Sequence, residues 1–223
     1  MKKTRRASAV FLFAALIAAI GCSSAPPEAE AVPEKTVEAP PPEPEPLTGK
    51  HYVLLDTTKG EIKLELDADA APITVENFLS YIDRKFYDHT VFHRVVRNYY
   101  VLAGGYDMRL KRKSTRDPIE SESDNGLKNV KGAVAMYRGE DPQSATTQFM
   151  INLRNNARLD RAYSKGDGFG YTVFGKVVEG MDIVTGIGRV KTVQRSSAKN
   201  VPEVPIFIKT AKLVENEESG GES

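Results

Sequence analysis

The chain holds three histidines, His51, His89 and His93, and one cysteine, Cys22. With no second cysteine and no carboxylate cluster at ligand spacing they make no metal site, and no cofactor is assigned. Ser144 and Thr147 have no histidine at a motif-like spacing to activate them, so a hydrolase reading fails too. Phosphate loops and dinucleotide fingerprints are absent. Arg94, in Phe92-His93-Arg94, offers a planar and permanently charged fork, and Gln148 offers an amide that both donates and accepts. On an extended strand Phe92 and Arg94 would share a face. By type alone, such an arginine is most often a surface side chain with its stem on apolar neighbours.

The elements that must hold these residues are read from periodicity. Ile62, Leu64 and Leu66 alternate with charged residues, and Lys59-Gly60 sits where a tight turn is needed, so Val53 to Leu66 is predicted to be a hairpin. Val75, Phe78, Leu79, Ile82 and Phe86 follow Pro72 at helical spacing, and Met181, Val184 and Ile187 mark a second short helix. Further strands are expected at Val91–Val95, Tyr99–Ala103, Gly132–Tyr137, Gln148–Leu153, Tyr171–Val178 and Ile206–Val214. About eight strands and only two helices favour a mainly β fold, a closed eight-stranded antiparallel β-barrel capped by two α-helices, because a parallel sheet needs a helix in every crossover. Gly104–Lys131 and Arg154–Gly170 are longer than turns require.

Several runs then identify a family. Ala71-Pro72-Ile73-Thr74-Val75-Glu76-Asn77-Phe78-Leu79, Phe86-Tyr87-Asp88 and Val91-Phe92-His93-Arg94-Val95 occur in order, followed by Gly126-Leu127-Lys128-Asn129 and Gly132-Ala133-Val134-Ala135-Met136. Ser144-Ala145-Thr146-Thr147-Gln148-Phe149 and Val173-Phe174-Gly175-Lys176-Val177-Val178-Glu179-Gly180-Met181-Asp182 complete the series. Residues 51 to 214 thus resemble the cyclophilins, above all the bacterial ones. The resemblance implies a peptidyl-prolyl cis/trans isomerase acting on proline-containing polypeptides. It assigns catalysis to Arg94 and Gln148, and substrate binding to Phe92, Tyr99, Tyr100, Met150, Leu159, Tyr171 and Tyr137.

The chain departs from the family at named positions. Tyr99 stands for a common Phe and Met150 for an aromatic, and both remain apolar enough to receive a prolyl ring. Leu102 takes the place of a Gln that supports the arginine, Tyr100 that of a Met, and Tyr137 that of a small residue. Arg158 replaces an aromatic that contacts cyclosporin in some members. Arg94 and Gln148 favour catalysis; Leu102 and Tyr137 favour a rival reading, a proline-peptide-binding or holdase module with little turnover.

The first residues carry a different message. Lys2, Lys3, Arg5 and Arg6 precede an apolar run, Ala7 to Ile20, that is too short to span a bilayer comfortably, which is the shape of a signal peptide. Ala19-Ile20-Gly21-Cys22-Ser23 resembles a bacterial lipobox. The expected organisation is a lipoprotein signal over 1–21, an acylated Cys22 and Pro/Glu-rich tether over 22–49, an isomerase domain over 50–214 and an acidic tail over 215–223. The tether ends in Pro40-Pro41-Pro42-Glu43-Pro44-Glu45-Pro46, a semi-rigid spacer. The expected location is the cell envelope, anchored by lipid to the outer membrane and facing the periplasm, as a monomer. The signal carries four positive charges, the linker one Lys against six Glu, and the tail four Glu, so the overall +1 leaves +6 on residues 50–213. Arg109, Lys111, Arg112, Lys113 and Arg116 lack interleaved aromatics and run into Glu120, Glu122 and Asp124, so a solvated loop is expected and no nucleic-acid partner.

Overall fold

Alternating apolar residues place the first two strands. In the computed structural model, which describes residues 47–163, 168–196 and 198–215, β1 (Lys50–Thr57) and β2 (Gly60–Asp67) form the expected antiparallel hairpin. Val53 faces Leu64 and Leu55 faces Ile62, and all four are fully buried. Gly60, at φ +129°, allows the turn, which the Thr57 hydroxyl closes by donating to the Gly60 carbonyl at 2.6 Å. Helix α1 (Pro72–Asp83) follows, with Pro72 in its first turn, where its missing N–H costs nothing. Val75, Phe78 and Ile82 bury its apolar stripe, and the Phe78 ring lies 4.8 Å from Tyr87, 5.3 Å from Phe149 and 5.2 Å from Phe174. Phe86, expected on that stripe, lies beyond the helix end, past a reversal at Lys85 with φ 52°; its ring still packs 4.7 Å from Tyr81.

The remaining elements are β3 (Arg94–Val96), β4 (Tyr100–Ala103), β5 (Ala133–Met136), β6 (Phe149–Asn152), β7 (Val173–Glu179), α2 (Met181–Ile187), β8 (Thr192–Arg195), β9 (Ala198–Pro202) and β10 (Ile208–Val214). Eight strands form one antiparallel sheet in the order β10-β1-β2-β7-β5-β6-β4-β3. It is mainly β and curled, but the expected closure is incomplete. No ladder joins β3 to β10; the seam is held by a bridge between Val91 and Phe207 and by Phe92 N–H donating to the Ile206 carbonyl at 2.8 Å. Pro205 lacks the N–H group that a longer β10 would need there. β8 and β9 form a separate hairpin that sequence periodicity did not single out. Its buried residues, Val201 and Pro202, are too few to print an alternating pattern.

Each central strand serves two clusters because successive side chains point to opposite faces. Val101, Ala103, Val134, Met136, Phe149, Ile151 and Phe174 enter the main core with α1 and α2. Their neighbours Tyr100, Leu102, Ala133, Ala135, Met150 and Val173 build a second, smaller apolar cluster on the outer face. The charged run within loop 104–131, expected to be solvated, is largely exposed and is also fastened to α1. Glu122 accepts from the backbone N–H of Ile73 at 3.0 Å and of Thr74 at 2.8 Å, capping the helix, and the Arg116 guanidinium lies 4.8 Å over the Tyr81 ring. The acidic residue therefore meets the helix N-terminus, where a negative charge is favoured. The signal, Cys22, most of the tether, and the tail beyond Glu215 lie outside the described residues. Leu47, inside the expected tether, packs against the main core.

Candidate active site

Backbone pairing carries one row of side chains across the outer face. Arg94 stands opposite Leu102, Leu102 opposite Met150, Met150 opposite Ala135 and Ala135 opposite Val173. A cation at the end of β3 thus adjoins a floor of apolar side chains. Met150 is 1% exposed, and Tyr99, Tyr137, Tyr171 and Leu159 complete the same cluster. Tyr137 stacks on Tyr171 at 5.9 Å, Tyr99 packs on Tyr100 at 4.9 Å, and the Arg94 guanidinium lies 5.9 Å from the Tyr100 ring centroid. Burial pushes the Tyr100 hydroxyl up to about 12, although nearby Arg94 acts the other way, so it stays a neutral donor.

Arg94, Leu102, Tyr137, Gln148 and His93 line one cleft of about 710 Å³. Arg94 Nε is buried without a hydrogen-bond partner, and Leu102, opposite Arg94 in the ladder, is an alkyl side chain that accepts nothing. The Gln148 side chain lies flat over Gly105, where an added Cβ would come within 2.5 Å of Gln148 Cγ. The preceding Gly104 has φ +85°, a conformation that suits glycine. Burial pulls the His93 imidazole down to about 4, against the Val91 backbone and the Gln148 amide, and Arg94 adds to the depression. His93 is therefore neutral at pH 7, packed 4.5 Å from the Tyr106 ring.

Of the residues expected in the site, Arg94, Gln148 and Tyr137 line the cleft, and Tyr99, Tyr100, Met150, Leu159 and Tyr171 meet in the apolar cluster beside it. Phe92 does not join them. It precedes β3, so strand alternation does not apply to it; it is 1% exposed in the main core and touches a neighbouring cavity of about 300 Å³. Arg158 is exposed, one residue before buried Leu159. Sequence reasoning missed the polar frame beneath the pocket. Asp160 accepts from Asn129 N–H at 2.7 Å, Asn152 donates to Asn129 Oδ1 at 3.1 Å, and Asn156 donates to Asn152 Oδ1 at 2.7 Å and to the Tyr99 carbonyl at 2.9 Å. Tyr171 N–H then donates to the Leu159 carbonyl at 3.0 Å. This buried network fixes the segments bearing Tyr99, Leu159 and Tyr171; the recurrence of Asn through 152–156 was its sequence signal.

A curled antiparallel sheet with an arginine beside an apolar outer cluster is the frame on which the comparisons with known proteins bear. The sequence model of the cyclophilin type peptidyl-prolyl cis-trans isomerase family matches residues 52–213. The chain belongs to that family. It is 43% identical to peptidyl-prolyl cis-trans isomerase A of Dickeya dadantii over 167 residues, 75% of this chain and 86% of that one. It is also 46% identical to an isomerase of Streptomyces antibioticus, covering 73% and 98%, and 40% identical to isomerase B of Escherichia coli, covering 73% and 99%. Among solved structures a Cryptosporidium parvum cyclophilin superposes with TM-score 0.62 at 20% identity, covering 75% of this chain and 99% of that chain, a likeness of fold.

Proposed function

We propose that the domain isomerises X-Pro peptide bonds of exported polypeptides, with Arg94 stabilising the twisted amide. The barrier is about 18–20 kcal/mol because rotation destroys amide resonance, and X-Pro bonds isomerise unaided over tens to hundreds of seconds. In the twisted state the prolyl nitrogen becomes pyramidal and basic. A guanidinium held beside it favours that state over the planar ones, and only such differential stabilisation lowers the barrier. The supporting observation is Arg94 itself, with Nε buried and unpartnered beside an apolar cluster and sharing a cleft with Gln148. The prolyl ring rests against Met150, Leu159, Tyr99 and Tyr171, and Gln148 holds the adjoining backbone.

Exchange NMR on a proline peptide tests this without a coupled protease. Arg94→Ala is expected to lower turnover about 100- to 1,000-fold, and Arg94→Lys to recover little because an ammonium lacks the planar fork. Leu102 opposite Arg94 favours the second reading, a proline-peptide-binding or holdase module, since the arginine lacks its supporting acceptor. Saturable peptide binding with exchange at the uncatalysed rate would establish that reading instead. The lipobox-like Gly21-Cys22-Ser23 supports a site of action in the cell envelope, anchored by lipid at the outer membrane and facing the periplasm, where the domain would act as a monomer.

A further inference from the structure

Beyond Arg94 the cleft changes character. Its far wall is built by loop 104–113 and the β8–β9 hairpin, which bring Arg109, Arg195 and Lys199 to the lining, all exposed. Among the described residues no Asp or Glu lines this cleft or the smaller cavity beside it. Among the described residues none of the three cations is ion-paired; Arg195 donates to the Glu203 carbonyl at 3.0 Å, and that leaves its charge uncompensated. The nearest acid in the loop, Asp107, is engaged by the backbone N–H groups of Arg109 and Lys111, both at 2.9 Å. The hairpin is rich in cations as well: residues 189–203 contain Arg189, Lys191, Arg195 and Lys199 against one acid, Glu203, whose carboxylate pairs with Lys191 at 3.0 Å.

The two cavities lie side by side, with Arg109, Leu110 and Arg195 lining both. Past the cations the smaller one, of about 300 Å³, is walled by Val91, Phe92, Val201, Pro202 and Pro205, with Met108 at its edge 53% exposed. A polypeptide leaving the prolyl site along this path meets positive charge first and an apolar pocket next. We infer that the site prefers proline-containing segments with a carboxylate side chain within about three residues of the proline, on the side that runs toward the β8–β9 hairpin. This rests on the isomerase reading above and narrows its substrate class. Electrostatic complementarity of this kind raises association rate and selects partners, and its reach is set by salt.

The test uses exchange NMR on the full domain with a set of otherwise neutral peptides carrying one central proline. Glu, Gln or Lys is placed at each of the three positions on either side. At low ionic strength Glu on one side is expected to raise kcat/KM about 5- to 10-fold over Gln, and Lys to lower it by a similar factor, with both differences shrinking toward unity in about 0.5 M salt. In the triple variant Arg109→Gln, Arg195→Gln, Lys199→Gln the Glu-to-Gln ratio should fall to near one. Equal rates for Glu, Gln and Lys peptides at every position, with the neutral peptide still catalysed, would overturn this inference and leave the isomerase reading standing. Loss of catalysis on every peptide would instead sink the isomerase reading itself. A preference that persists unchanged in the triple variant would also overturn it, by moving the selectivity elsewhere.

Discussion

Two side chains at the cleft are held in unusual surroundings, and each has a measurable outcome. Arg94 Nε has no partner, and Leu102 stands opposite Arg94 in the ladder. Leu102→Gln would supply an acceptor in that position, and turnover is expected to rise several-fold as the guanidinium becomes better oriented. Unchanged exchange rates would mean that the arginine is already well placed. His93 is held neutral, its folded value near 4 against 6.5 in the unfolded chain. The unfolded chain therefore takes up the proton first as pH falls, so stability is lost between about pH 6.5 and pH 4, by about 3 kcal/mol from this group. Urea unfolding should show that His93→Asn loses markedly less stability than wild type over that interval; equal losses would place the pH dependence elsewhere. Arg94, Gln148 and the apolar pocket were legible because each occurs within a long ordered series of short runs. Phe92 was misplaced because alternation was applied across Phe92-His93-Arg94, whereas β3 begins only at Arg94. Gly105 and the Asn129–Asn152–Asn156–Asp160 network escaped notice because their importance lies in contacts between residues far apart in the chain.

Among the elements, α1 depends on a residue that arrives from 48 positions away: Glu122 receives Thr74 N–H and, at 2.6 Å, the Thr74 hydroxyl. The helix has no side-chain cap of its own at Ala71. Glu122→Ala is expected to cost about 1–2 kcal/mol, read as a lower urea midpoint with unchanged slope, while Glu122→Gln should retain part of that. A midpoint unmoved by Glu122→Ala would mean that solvent caps the helix equally well. The helices and the first hairpin were legible because one apolar face of each is buried against a single core. β8 and β9 were not, since their neighbours along the chain are charged residues that turn toward solvent and the cleft. The contacts of loop 104–131 were not legible for a related reason: its cations and acids read as a solvated stretch, and largely are one, but Lys113 also lies 4.3 Å over the Phe86 ring and Arg116 over Tyr81.

For the whole molecule, the proposed anchor can be separated from the fold. If Cys22 carries the lipid, Cys22→Ala should release the protein from the membrane fraction into the soluble one and abolish labelling by a fatty-acid analogue, while the domain keeps its exchange activity. Acyl chains contribute about 0.8 kcal/mol per buried methylene, so the difference between bound and released should be nearly complete. A Cys22→Ala protein that still bears lipid and sediments with membranes would refute the anchor. Within the domain, β1 pairs with β10: Tyr52 lies opposite Val214 and Asp56 opposite Thr210, so the first and last strands lie side by side and their outer ends leave the sheet together. Hydrogen bonds in such a ladder run perpendicular to the strands. A pull applied between those two ends would load the bonds one pair at a time from the Tyr52–Val214 end, peeling the sheet like a zip instead of shearing the whole ladder at once.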